Sequence, residues 1–213
     1  FKDIKKHSPK EIKIYDHRQH ILIPGFIDAH LHFPQIQLIG SYAANLLEWL
    51  NTYTFVEEQK YKNSSHCTHM AKKFFDTLIN YGTTSAATFC TVHTESVEAF
   101  FKESHQRNML MIGGKVMMDR NAPPKLLDTP QSSYDDTKML INKWHGVGRQ
   151  LYAISPRFAI TSTPAQLEMS QALVNEFPDC YLQTHLSENK EEIELAKKLY
   201  PDFKDYTGIY EHY

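Results

Sequence analysis

Three stretches of the chain carry residues whose types and spacing can do chemistry. The first is PGFIDAHLHF, Pro24 to Phe33, with His30 and His32 two apart at the end of an apolar run. Side chains at i and i+2 leave a strand on the same face, so both imidazoles can meet one divalent ion. H-x-H spacing alone also suits two solvated or hydrogen-bonded rings. Two features favour the ion. An apolar strand has no other use for two polar rings, and the carboxyl end of a barrel strand is where active sites form.

The second stretch is YLQTHLSEN, Tyr181 to Asn189. His185 follows an apolar run, and Glu188 lies three residues later, where strand gives way to helix. An imidazole ligand with a carboxylate nearby suits metal-assisted hydrolysis, the metal lowering the pKa of water and the Glu moving protons. Glu188 equally suits a helix N-terminus, where a carboxylate favours the dipole. The third stretch is SPRFAITS, which puts Arg157 and Phe158 at the centre or carboxyl end of a fourth apolar strand. An Arg there is costly unless it is paired or faces a ligand. Phe158 reads as core by default.

The remaining histidines carry less. His93, in FCTVHT, follows the second apolar run and would face the same end of a sheet, which makes it a candidate pocket residue. His17 with His20, and His66 with His69, have metal-like spacing in solvated settings. LLEWL, residues 46–50, reads as an amphipathic helix that packs.

The elements that must position these residues alternate. Apolar runs at 26–32, 83–90, 110–119, 151–160 and 180–188 are short and largely without a polar face, as strands buried on both sides are. Helical patterns lie between them, several with recognisable stops and caps, such as Ser162 or Thr163 before Pro164. Strict alternation of this kind gives a parallel sheet, doubly wound or closed as a barrel. No G-x-G-x-x-G follows a strand, and Gly113-Gly114 reads as a packing device. Five strands would be five-eighths of a (β/α)8 barrel, which needs about 250 residues. Residues 1–24 differ: KIY, a polar turn and ILI read as a β-hairpin of a separate small β-domain.

Composition sets bounds on function. With 213 residues, 41% hydrophobic and 23% charged, the chain is of ordinary globular make-up rather than disordered. A net charge of −2 argues against nucleic acid as a partner. No apolar run approaches the roughly 20 residues of a membrane span, and the first residues lack a secretory h-region. Cys67, Cys90 and Cys180 show no C-x-x-C spacing, which argues against a disulfide framework or a cysteine zinc site and for a reducing compartment such as the cytoplasm. The chain opens without Met and stops at YTGIYEHY, so both ends read as cuts.

Taken together, these motifs resemble the amidohydrolase superfamily, and within it the branch that deaminates guanine. PGFIDAHLH and the His185 strand carry the general resemblance. HFPQ, LLEWLNTYTFVEE, NYGTTSAATFCTVHT, GGKVMMDRN, SPRFAIT and QTHLSENKEEIE carry the specific one, in order over about residues 20 to 207. The resemblance implies a metal-dependent (β/α)8 TIM barrel, of which residues 25–213 would supply about the first five units, with residues 1–24 part of a small β-sandwich domain. It implies that His30, His32 and His185 hold one zinc ion per subunit, with iron as an alternative. Gln35 and Arg157 would bind the purine, Phe158 would pack against its ring, and Glu188 would shuttle protons. Guanine would be the substrate, in purine catabolism, with a homodimer in the cytoplasm and no nucleic acid or membrane partner. A further His and an Asp of the superfamily pattern have no counterpart here, His212 lacking the strand context, so residues 1–213 alone are expected to be inactive. Two other readings stay open: action on a related heterocycle such as 8-oxoguanine, a pterin or a triazine, or a barrel that binds without turnover.

Overall fold

The computed structural model describes residues 13 and 15–213. Among the described residues six strands form one parallel sheet: β1 Phe26–His32, β2 Thr83–Phe89, β3 Leu110–Gly114, β4 Val116–Met117, β5 Gln150–Pro156 and β6 Tyr181–Leu182. Their order is β1-β2-β3-β5-β4, with β6 also on β5. Every pairing is parallel. All carboxyl ends therefore lie on one side of the sheet, which brings segments far apart in sequence to a common rim. Among the described residues β1 and β6 do not pair with each other.

The connections are helical, as the alternation requires. From β1 the chain passes through a 3-10 turn, Phe33–Leu38, and then an unbroken series of short turns: α1 Leu46–Trp49, a π turn Leu50–Thr54, α2 Phe55–Glu58 and a 3-10 turn Gln59–Lys62. The longer helices are α3 Ser64–Asn80, α4 Thr94–Gln106, α5 Pro130–Trp144, α6 Pro164–Glu176 and α7 Lys190–Leu199, followed by α8 Tyr206–His212. Local chemistry fixes their ends. The Asn63 side chain accepts from the His66 amide at the start of α3, and Gly82, at φ 83°, supplies the left-handed turn after it. Thr129 and Ser132 form a capping box on α5, and Thr163, of the two candidates, caps α6.

Two apolar clusters hold these layers. Phe33, Phe74, Phe75, Phe100, Phe101, Met111 and Tyr152 fill the space between helices and sheet. A second cluster, with Leu50, Phe55, Phe89, Phe158 and Tyr200, sits toward the carboxyl ends of the strands. Gly114 is a packing device in a literal sense: a Cβ there would stand 1.8 Å from the Ala153 carbonyl oxygen on the neighbouring strand.

Some elements differ from the sequence expectation. The run at 110–119 breaks at Lys115, whose amide leaves the ladder and donates to the Tyr152 hydroxyl. The last strand keeps only two residues, although Gln183 and His185 continue to donate their amides to Ile154 and Arg157. Arg157 and Phe158 lie just beyond β5, not within it. Part of the hairpin expected before residue 24 falls outside the described residues. In the described part, Arg18–His20 form a turn, and Ile21, Leu22 and Ile23 are exposed without strand pairing. All three cysteines are free. Among the described residues no helix is long and apolar enough to cross a membrane.

Candidate metal and ligand site

The common rim gathers the chemistry. His30 and His32 close β1, and His185 reaches the same point through the backbone bond that ties its amide to the Arg157 carbonyl. One ligand atom from each of these three imidazoles lies within 4.8 Å of the other two. The ring centroids are 5.0 to 5.1 Å apart, and Phe89 at the end of β2 stacks on His32. The Nε2 atoms of His32 and His185 face each other at 3.0 Å. The His185 Nδ1–H donates to the Arg157 carbonyl at 2.7 Å, which leaves Nε2 with its lone pair toward the cluster.

Burial and a nearby cation favour the neutral form of His32 and His185. Burial first, then the Arg157 cation, holds His32 well below the ordinary imidazole range. Burial, with the same cation adding to it, brings His185 down to about 4. Neutral, converging imidazoles are what a borderline-soft divalent ion such as zinc requires. The donor set therefore fits the group implied by the sequence, and the buried Nδ1 of His32 has no hydrogen-bond partner.

The cluster opens into a cavity of about 840 Å³, whose wall includes His30, His32, Gln35, Arg157, Phe158, His185 and Glu188. All seven candidate site residues thus share one cavity. Glu188 is exposed on the segment leading into α7, at the cavity wall. Burial raises its carboxyl, and the like charge of Glu192 raises it further, against the pull of His30 and Arg157. It does not serve as the helix cap: Asn189 and Glu192 form the capping box of α7, and the Glu192 carboxylate accepts from the amides of both Glu188 and Asn189. Phe158 is buried in the second cluster with its ring edge-on to His185.

Arg157 is paired. Its Nη1 donates to both carboxylate oxygens of Glu58, at 2.9 and 2.7 Å, and neither side chain is open to bulk solvent. Burial pushes the Glu58 carboxyl up, while Arg157 first and then Gln35 pull it down. Glu58 was not among the sequence candidates. The cost of a buried Arg called for a carboxylate, but the chain has 25 acidic residues and nothing local distinguishes this one. LLEWL also does more than pack, since Leu46, Trp49 and Leu50 line the cavity.

The other histidines lie elsewhere. His93 stands at the N-terminus of α4, off the cavity wall, with its Nε2 buried and unpartnered. This candidate pocket residue is thus not on the cavity wall; its amide donates to the Thr91 hydroxyl just after β2. His17, His20, His66 and His69 join no group of three metal-ligating side chains among the described residues.

The amidohydrolase family pattern matches residues 21–213. The chain belongs to this family. It is 49% identical over 209 residues to the guanine deaminase of Escherichia coli (strain K12), a match covering 98% of this chain and 48% of that protein. The solved structure of E. coli guanine deaminase superposes with a TM-score of 0.95 at 48% identity, covering 99% of this chain and 49% of that one. A guanine deaminase from C. acetobutylicum, solved with guanine bound in its active site, gives 0.89 at 31% identity over 99% of this chain and 49% of its own. This amidohydrolase chain thus spans about half the length of the relatives it matches.

Proposed function

We propose that the protein hydrolyses guanine to xanthine and ammonia, on a (β/α)8 barrel of which this chain forms the first units. The observation that carries the reading is the convergence of three imidazoles with Glu188, Arg157 and Gln35 on one cavity wall. The similarity to guanine deaminases supports it. His30, His32 and His185 would hold zinc, which when bound acts as a Lewis acid and lowers the pKa of water.

The remaining steps belong to the chain's own side chains. Arg157 donates to the carbonyl edge of the oxo-purine, Gln35 hydrogen-bonds the same ring, and Phe158 packs against it. Water adds at the carbon bearing the exocyclic amine. Glu188, whose carboxyl is raised by burial and by the charge of Glu192, protonates the adjacent ring nitrogen and then helps the amine leave as ammonia. A purine lacking the matching oxo group would leave the Arg157 donors unpaired, and buried unmatched polar groups reject an analogue strongly. Homodimeric assembly and a cytoplasmic location complete the reading; the free state of all three cysteines is consistent with the latter.

A substrate panel tests it. Full-length protein is assayed for ammonia release from guanine, 8-oxoguanine, a pterin, an aminotriazine and adenine. Guanine should lead by orders of magnitude in kcat/KM. A triazine or pterin ahead of guanine would transfer the site to that heterocycle, and no turnover of any would leave a binding protein.

A further inference from the structure

The segment Leu46–Lys62 folds without a break through α, π, α and 3-10 turns. π turns are rare and are frequently found at functional sites. Here the π turn Leu50–Thr54 follows the cavity-lining side chains Leu46 and Trp49 and precedes α2. Phe55 and Glu58, three apart on α2, share one face of the helix. Both meet Arg157. The Phe55 ring centroid lies 5.4 Å from the guanidinium carbon, and the Glu58 carboxylate takes two bonds from Nη1. Among the described residues, Nε and Nη2 of Arg157 donate no hydrogen bond.

A buried ion pair is a weak stabiliser, because desolvation offsets the attraction, and well-packed apolar side chains often do as well. Stability alone gives Arg157 little reason to stand on the wall of a ligand cavity with Glu58 bound behind it. We infer that Glu58 is a positioning residue that sets substrate specificity: with Phe55 beneath, it clamps the Arg157 guanidinium by one terminal nitrogen, so that the remaining N–H groups meet the oxo group of the purine. The inference rests on the proposed guanine deamination and deepens it. Glu58 does not touch the substrate; it acts through Arg157.

The test uses Glu58→Gln, Glu58→Asp, Arg157→Met and the double variant Arg157→Met/Glu58→Gln of the full-length protein. Loss of one charge-assisted acceptor is expected to raise KM for guanine about 10- to 100-fold while kcat changes much less. Preference for guanine over adenine in kcat/KM should shrink by a similar factor, with bound metal unchanged. Glu58→Asp, which keeps the charge at shorter reach, should recover part of the loss. In the Arg157→Met background Glu58→Gln should add less than about twofold. A folded Glu58→Gln protein with unchanged KM and preference would overturn the inference, as would an equal rise in KM without Arg157. If Glu58→Gln does not fold, Glu58→Asp decides by the same two readouts. A crystal structure of the variant supplies a measure independent of turnover: the guanidinium should leave its present position, and one that stays would overturn the inference even if guanine proved not to be the substrate.

Discussion

The Nδ1–H of His185 donates to the main-chain carbonyl of Arg157 across 2.7 Å. The residue just after β5 thus fixes the ring of a metal-ligand candidate on the next segment, while its own side chain enters the same cavity wall. Sheet pairing, tautomer and ligand selection are coupled through one residue, and the sheet register sets where the imidazole points.

Substituting any of the three converging imidazoles should abolish stoichiometric metal. His30→Ala, His32→Ala and His185→Ala are each expected to lose bound zinc in elemental analysis of the purified protein. His66→Ala and His93→Ala, outside the cluster, should retain it. Full zinc occupancy in His185→Ala would remove that ring from the ligand set.

Glu188→Gln should fold and keep its metal but lose about 10²–10⁴-fold in kcat, the usual contribution of a proton-transfer group. The loss cannot be ascribed to a missing helix cap, since Asn189 and Glu192 supply it. A kcat within about threefold of wild type, well under that range, would take Glu188 out of the mechanism.

Much of this was legible in the sequence for reasons that are local. Two-residue spacing on an apolar strand puts His30 and His32 on one face, and the alternation of apolar runs with capped helices gives the parallel sheet. Long-range choices were not legible. Nothing near Glu58 marks it as the partner of Arg157, 99 positions away. The break of the third strand at Lys115 depends on a tyrosine from β5. His93 sits four residues past Phe89, the β2 end that stacks on His32, yet it lies off the cavity wall, which strand position alone does not show.

The charge of Glu192 should be visible in the pH profile of the reaction. It raises the Glu188 carboxyl, because a like charge disfavours ionisation. Glu192→Gln removes that charge while keeping an acceptor for the Glu188 and Asn189 amides. The Glu188 pKa should fall, so the limb of the kcat–pH profile that reports it should move to lower pH. A shift to higher pH, or none, would show that another group titrates in that limb.

Away from the site, Lys115 is fully buried and its ammonium binds Asp128, which also accepts from the Ser133 hydroxyl. Lys115→Met leaves that carboxylate without its cation and should cost about 3 kcal/mol or more in chemical denaturation. Lys115→Met/Asp128→Leu should recover part of this. A loss of less than about 1 kcal/mol in the single variant would mean that the pair is more hydrated than its burial indicates.

The central claim is that three imidazoles on this rim hold a metal needed for guanine hydrolysis. The most direct measurement is xanthine formation by full-length protein stripped with a chelator and then titrated with zinc. Turnover should vanish on stripping and return in proportion to zinc, levelling at one equivalent per subunit. Undiminished turnover in metal-free protein, or none at any zinc level, would contradict the account.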